Sequence, residues 1–274
     1  MTFSGRVSVI TGAASGIGRG LALELADRGS DLALCDVNEA GLTETARMAE
    51  ALGRTVTRKV VDVADRKAVY TFADEVLTEH GRVDAIVNNA GVSVTDTVAE
   101  MSYDDLEWIV DINFWGVVYG TKAFLPALLE RGDGWIVNVS SVFGLVAFPS
   151  QSAYNATKFA VRGFTESLRQ ELEGTGVTAS CVHPGGIKTN IVRSSRFRRA
   201  HDGPVPREEF VADFDRMART SPEEAGRVIA DGMERRAPRI LIGNDARMIE
   251  AIARMAPVSY PGLFKRLADR LRKK

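Results

Sequence analysis

The chain has only two cysteines and three histidines among its 274 residues. Cys35 and Cys181 each sit inside an apolar stretch ("LALCDV", "TASCVH"), which argues against a disulfide framework and for a reducing compartment. His80, His183 and His201 are scattered without metal-ligand spacing, so no metal is expected and surface or strand-end positions are. No apolar run approaches the ~20 residues of a membrane span. The opening "MTFSGRVSVITG" lacks a charged segment, a long apolar segment and a small-residue cleavage pattern, so a cytoplasmic protein without a signal peptide is expected. Neither sign of charge is in excess. The formal net charge of −1 supplies no global field for nucleic acid. What remains is 45% hydrophobic and 26% charged, ordinary for a globular chain long enough to bury a core.

Short β-branched runs alternate with longer helical patterns. The runs fall at 6–10, 31–36, 55–63, 83–90, 134–141, 176–184 and 239–243, several of them almost continuously apolar, as in strands covered on both faces. Between them, 18–29 and 38–53 repeat apolar residues at helical spacing and close on Gly29 and Gly53. Alternation with short connections implies right-handed crossovers. The predicted fold is therefore α/β: a single-domain, Rossmann-like, doubly wound parallel sheet of about seven strands with helices on both faces, spanning 1–274.

Directly after the first run comes "TGAASGIGRG" (11–20), with Gly12, Gly16 and Gly18 leading into the first helix. Glycines permit a tight turn and close backbone approach, and a helix N-terminus offers free N–H groups to a pyrophosphate. A dinucleotide site is expected here, the alternative being a plain βα turn. Eighteen residues after Gly18 the second run ends in Asp36. A carboxylate there can accept hydrogen bonds from ribose hydroxyls and repels a 2′-phosphate, which favours NAD over NADP. Arg19 in the loop is the counter-argument.

Tyr154 and Lys158 stand four residues apart in "SAYNATKFA", on one face of a helix one turn apart. The reason to hold a phenol against an ammonium is proton transfer. Tyrosine ordinarily titrates near 10. A positive charge ~4 Å away contributes about 4 kcal/mol at an effective dielectric of 20, enough to bring the phenol to around 7 before burial is counted. That value suits a general base.

With TGxxxGxG, "NNAG" (88–91) and YxxxK in this order, the chain resembles the short-chain dehydrogenase/reductase family in its non-extended branch, from the first strand to about residue 190. The resemblance implies Tyr154 as acid/base, Lys158 as its partner, Ser141 as the carbonyl-binding serine thirteen residues earlier (in preference to Ser140) and Asn113 as the helix residue that holds a relay water. It further implies cofactor contacts at Gly12, Ser15, Gly16, Ile17, Gly18 and Asp36. Asp62 and Val63 match the adenine contacts, and Asn88, Ala90 and Gly91 the fourth strand's loop. Pro184, Gly185, Ile187 and Thr189 match the nicotinamide end, with Tyr154 and Lys158 also touching the cofactor. A homodimer or homotetramer is implied as well.

Two segments break the alternation. Residues 190–222 are read as a substrate lid, with Phe143, Val146, Phe148, Phe197, Phe210, Phe214 and Met217 as apolar lining for a hydrophobic secondary alcohol or ketone. Arg193, Arg196, Arg198 and Arg199 are read as a solvated lid face, the alternative being an anion contact. Residues 257–274 carry Leu263, Phe264, Leu267 and Leu271 among six basic residues. This tail is expected to pack on the body or a sister subunit, with peripheral membrane contact the less favoured reading. Rival readings of the whole are an NADPH-dependent carbonyl reductase, with Arg19 or Arg58 on the 2′-phosphate, and a non-catalytic NAD(P)-sensing protein.

Overall fold

The computed structural model describes residues 3–199 and 206–264. Seven strands form one sheet: β1 (Val7–Thr11), β2 (Asp31–Asp36), β3 (Val56–Val60), β4 (Ala85–Asn88), β6 (Gly134–Val139), β7 (Val177–Pro184) and β9 (Arg239–Ile242). Two further strands, β5 (Val94–Thr95) and β8 (Arg196–Phe197), pair apart from it. The sheet order is β3-β2-β1-β4-β6-β7-β9, and every pairing is parallel. All seven expected strands are present, and the fold is the Rossmann-like one expected.

The sheet is covered on both faces, which is why β1, β4 and β6 are buried at every position. One face carries α1 (Gly16–Asp27), α2 (Glu39–Glu50) and α8 (Pro222–Glu234), contributing Leu21, Leu25, Leu42 and Ile229 to a single core cluster. The other carries α3 (Arg66–His80), α5 (Gly116–Arg131) and α6 (Ser152–Glu171), where Phe72 meets Phe124 edge to face at 6.3 Å. Two short helices, α4 (Tyr103–Val110) and α7 (Arg207–Met217), and α9 (Asn244–Met255) lie outside these layers, and the chain is helical again at 260–264.

The chain starts mid-sheet at β1, winds outward to β3, then returns to β4 on β1's other side. That reversal leaves a crevice at the carboxyl ends of the strands, where α/β sheets bind ligands. The strand ends fall short of the expected ones in a useful way. β3 stops at Val60 and β4 at Asn88, so Asp62, Ala90 and Gly91 lie in loops on the crevice edge. Among the described residues, no helix is long and apolar enough to cross a membrane.

Candidate active site

The glycine loop is shaped by contacts that exclude side chains. Gly12 adopts φ +67°, and a Cβ there would stand 2.7 Å from Ala90 Cα; a Cβ on Gly18 would stand 2.1 Å from the Gly12 carbonyl. The helix begins at Gly16, two residues earlier than its apolar spacing suggests, so Gly18 lies inside its first turn. Ser15 precedes it in extended conformation without a capping side-chain bond, leaving the first N–H groups of α1 unclaimed by side chains. Asn89, which the sequence reading passed over, fastens the loop from β4: its amide donates to the carbonyls of Thr11 (2.9 Å) and Gly12 (3.1 Å).

Asp36 ends β2 half-buried beside this loop. Its carboxylate accepts from Ala14 N–H and from Asn38 N–H, both at 2.9 Å. Arg19 is not free at the mouth, since its guanidinium donates to Thr45 Oγ1 (2.9 Å) and to the carbonyl of Gly41 (3.0 Å). Asp62 is exposed and caps its own loop through Ala64 N–H, and Val63 is buried beside Gly116. Asn88 was expected as a cofactor contact where the fourth strand meets its loop. It is the last residue of β4, and its amide is spent inside the fold on Asn138 Oδ1 (2.8 Å) and Thr121 Oγ1 (3.1 Å).

Ser140 and Ser141 follow β6 and diverge. Ser140 Oγ donates to the carbonyl of Lys158 at 2.7 Å, whereas Ser141 Oγ accepts from Phe143 N–H at 3.1 Å and lies beside the Tyr154 hydroxyl. Tyr154 and Lys158 come from the first two turns of α6 and are 7% and 3% exposed. Lys158 Nζ stands 5.6 Å from the Tyr154 ring centre and donates to the carbonyl of Val139 at 3.0 Å. Asn113 sits in a π-helical turn, Asp111–Trp115, between α4 and α5. Such turns recur at functional sites because one extra residue re-aims a side chain. Here the turn sends the Asn113 amide back to Val92, accepting its N–H (2.8 Å) and donating to its carbonyl (2.9 Å), with Thr157 Oγ1 at 3.2 Å.

The electrostatics depart from the expected phenol near 7. Burial pushes the Tyr154 phenol up to about 12, with the Ser141 hydroxyl drawing it partly back. Burial also brings the Lys158 ammonium down to about 8. Desolvation outweighs the contacts that favour the charged forms, the Ser141 hydroxyl on the phenol and the Val139 carbonyl on the ammonium.

The segment after β7 closes the crevice. Pro184 ends the strand, Gly185 N–H donates to the carbonyl of Ile242 (3.0 Å), and Gly186 N–H donates to Asp245 (2.7 Å), a first-turn residue of α9 that sequence reasoning missed. Ile187 turns its side chain into the core, and Thr189 lies against Gly16, with Cγ2 3.1 Å from where its Cβ would be. Of the three histidines, His183 takes a strand-end position, as expected, and is completely buried there, while His201 lies outside the described residues.

The expected lining divides. Phe143 meets Tyr154 edge to face at 5.5 Å and Phe148 at 4.9 Å; Phe148 stacks on Phe264 of the C-terminal segment at 5.6 Å, and Tyr260 Oη accepts from Ala147 N–H at 2.9 Å. The tail thus packs on the body as far as Phe264; Leu267, Leu271 and the basic residues lie outside the described residues. Val146 is fully buried core, Met217 is two-thirds exposed, and Phe197 and Phe210 pair at 5.1 Å between β8 and α7. The four arginines are exposed or half-exposed, as a solvated face requires, and each is also ion-paired. Arg196 and Arg198 hold Asp105 at 2.8 and 3.0 Å, Arg196 also stacks 3.8 Å over Trp108, Arg199 pairs with Glu100, and Arg193 with Asp215. The sequence could not show this, because Asp105 and Glu100 lie more than ninety residues before their partners, and Asp215 lies on α7, 22 residues after Arg193. Part of the expected lid, 200–205, lies outside the described residues.

Comparison with known proteins agrees with this geometry. Residues 6–200 match the family model described as short chain dehydrogenase. The chain is 48% identical over 265 residues to the putative oxidoreductase SadH of Mycobacterium tuberculosis, covering 96% of this chain and 95% of that one. It is 33% identical over 266 residues to human estradiol 17-beta-dehydrogenase 11, covering 96% and 83%. A short-chain dehydrogenase/reductase from Burkholderia phymatum, solved in complex with NAD, superposes with a TM-score of 0.83 at 30% identity, covering 97% of this chain and 96% of that one.

Proposed function

Because this chain belongs to the short-chain dehydrogenase/reductase family, we propose that it transfers a hydride between NAD(H) and a hydrophobic secondary alcohol or its ketone. The observation that carries the reading is the convergence of Ser141, Tyr154 and Lys158 at the carboxyl edge of the sheet, facing a glycine cradle and a helix N-terminus without a side-chain cap. The cradle fits a dinucleotide: Gly12, Gly16 and Gly18 admit a pyrophosphate beside the N–H groups of α1 at Ser15 and Ile17, and Asp36 receives the adenosine ribose. Asp62 and Val63 flank the adenine. The main chain of Asn88, Ala90 and Gly91 borders the middle of the cofactor, and Pro184, Gly185, Ile187 and Thr189 border its nicotinamide end.

When bound, the nicotinamide supplies the hydride acceptor. The rest is done by side chains of this chain. Tyr154 Oη takes the hydroxyl proton in oxidation and returns it in reduction. Ser141 Oγ donates to the substrate oxygen and stabilises the charge that develops there. Lys158 keeps the phenolate accessible and reaches the ribose, and Asn113, through Val92 and Gly91, holds the path along which the proton leaves by water. The Tyr154 phenol would be lowered further by the positive charge of an oxidised nicotinamide held beside it.

NAD is preferred over NADP in this reading, because Asp36 is held in place by two N–H groups while Arg19 is engaged elsewhere. The aromatic wall of Phe143, Phe148 and Phe264, and the relative that acts on estradiol, support an apolar substrate. Residues 190–222 act as the lid over that substrate. Trp115 and Phe159, 42% and 38% exposed on adjoining helices, support a homodimer or homotetramer. Two buried free cysteines suit a reducing, cytoplasmic setting.

The test is reduced-nicotinamide absorbance across a panel from 2-octanol to 17β-estradiol, with NAD and NADP in parallel and Tyr154→Phe as control. Turnover with NAD that is lost in Tyr154→Phe supports the reading. Turnover that survives the substitution overturns it.

A further inference from the structure

We infer that His183 is a positioning residue for this reaction: its imidazole holds the main chain of Ser141 so that the serine hydroxyl stays beside Tyr154. The inference rests on the proposed role of Ser141.

The main chain leaves the sheet just where the serine must be placed. The β6–β7 ladder makes its last link from Ser140 N–H to the Val182 carbonyl at 2.8 Å. One residue later, Ser141 is extended and opens a 3₁₀ turn, Val142–Gly144. Its carbonyl accepts from Gly144 N–H at 2.9 Å, but that bond lies within the turn and would move with it. The bond that ties this carbonyl to the sheet comes from His183 Nδ1, at 2.8 Å. A carbonyl only accepts, so Nδ1 carries the hydrogen and the neutral ring has its lone pair on Nε2.

Packing alone is a poor reason for this side chain. His183 is 0% exposed, and among the described residues Nε2 has no hydrogen-bond partner. A buried polar atom without a partner costs free energy that a leucine of similar size would avoid. The Nδ1 bond is what an imidazole adds here and a leucine cannot. Its location gives it reach, since His183 directly precedes Pro184 and Gly185 at the proposed nicotinamide end. One ring thereby ties the serine turn to the strand that carries the cofactor segment. His183 bonds the main chain of Ser141, not its hydroxyl, and so acts through Ser141.

Two substitutions separate positioning from packing. His183→Leu fills the volume without a donor, and His183→Asn returns an N–H near the Nδ1 position. The expected result is a kcat for His183→Leu roughly tenfold to a hundredfold below wild type, as for a small misplacement of a reacting group, with an unchanged KM for NAD and most of the rate restored in His183→Asn. Crystal structures of both variants give a readout independent of turnover: the Ser141 hydroxyl leaves Phe143 N–H in His183→Leu and keeps it in His183→Asn. If His183→Leu does not fold, His183→Gln, with its amide nitrogen nearer the Nε2 position, makes the same comparison. A folded donor-free variant with an unmoved Ser141 hydroxyl and wild-type kcat overturns the inference. Wild-type turnover that survives Tyr154→Phe would instead overturn the functional reading, and the crystallographic comparison would still decide the role of His183.

Discussion

Gly91 lies directly over Lys158: a Cβ on Gly91 would stand 3.3 Å from Lys158 Nζ and 3.2 Å from Asn113 Oδ1. The last glycine of the "NNAG" segment is thus the roof of the polar cluster beneath it. Gly91→Ala should displace the ammonium or the amide by a few tenths of an ångström. Expected are a near-native melting temperature and a kcat lowered roughly tenfold, as for a slightly misplaced catalytic group. Steady-state kinetics beside thermal melting check both.

Burying the Lys158 ammonium costs stability. Its ammonium is brought down by burial from 10.5 to about 8. Below pH 8 both folded and unfolded chains carry the proton and the folded state bears the whole penalty, which is relieved as pH rises from 8 towards 10.5. At about 1.4 kcal/mol per pH unit the penalty is about 3 kcal/mol, less about 1 for the bond to Val139. Lys158→Met should therefore be inactive yet about 2 kcal/mol more stable at pH 7 by urea unfolding, without the alkaline gain of wild type.

His183 predicts a slope of the same sign in a lower pH window. Burial brings its imidazole down to about 4 from 6.5, the bond to the Ser141 carbonyl opposing only in part. A ring kept neutral in the fold contributes stability above pH 6.5 that is lost as pH falls to 4, by about 3 kcal/mol. Urea midpoints measured from pH 7 to 4 should fall steeply in wild type and less in His183→Asn.

Asp105 is the latch between α4 and the segment after Asn190. Arg198 and Arg196 hold its carboxyl below the usual range. Asp105→Asn leaves both guanidinium groups short of a charge partner and should cost about 1–3 kcal/mol. It should also speed proteolytic cutting within 190–222 and raise KM for the alcohol more than KM for NAD. Limited proteolysis and two-substrate kinetics test the coupling.

Asp36→Ala removes the charge proposed to repel a 2′-phosphate. The kcat/KM ratio of NADP to NAD should rise at least roughly tenfold, mainly through KM for NADP. An unchanged ratio would mean that cofactor choice lies with other residues.

Much of the site was legible in order of motifs. Gly12, Gly16, Gly18, Ser141, Tyr154 and Lys158 owe their places to local rules: a strand feeding a helix, a serine just past a strand, a four-residue helical step. The readings that fell short concerned side-chain direction. Asn88 was expected to contact the cofactor where the fourth strand meets its loop; its amide nitrogen instead turns into the fold, where Thr121 and Asn138 meet it. Arg196 and Arg198 were read as a solvated face; they are partly exposed, but β8 pairs with β5 and brings them to Asp105, a partner the reading did not name. Neither partner set is local, so no window of sequence could contain it.

By itself, the sequence determined the seven parallel strands, the crevice at their carboxyl ends and the residues that border it, because hydrophobic period, glycine placement and helical spacing are properties of short segments. Tertiary structure alone decided the π turn that aims Asn113, the burial that sets the protonation of Tyr154 and Lys158, and the hold of His183 on Ser141. Desolvation and hydrogen-bond geometry depend on what surrounds a group from every direction, and those surroundings exist only once the distant segments have packed.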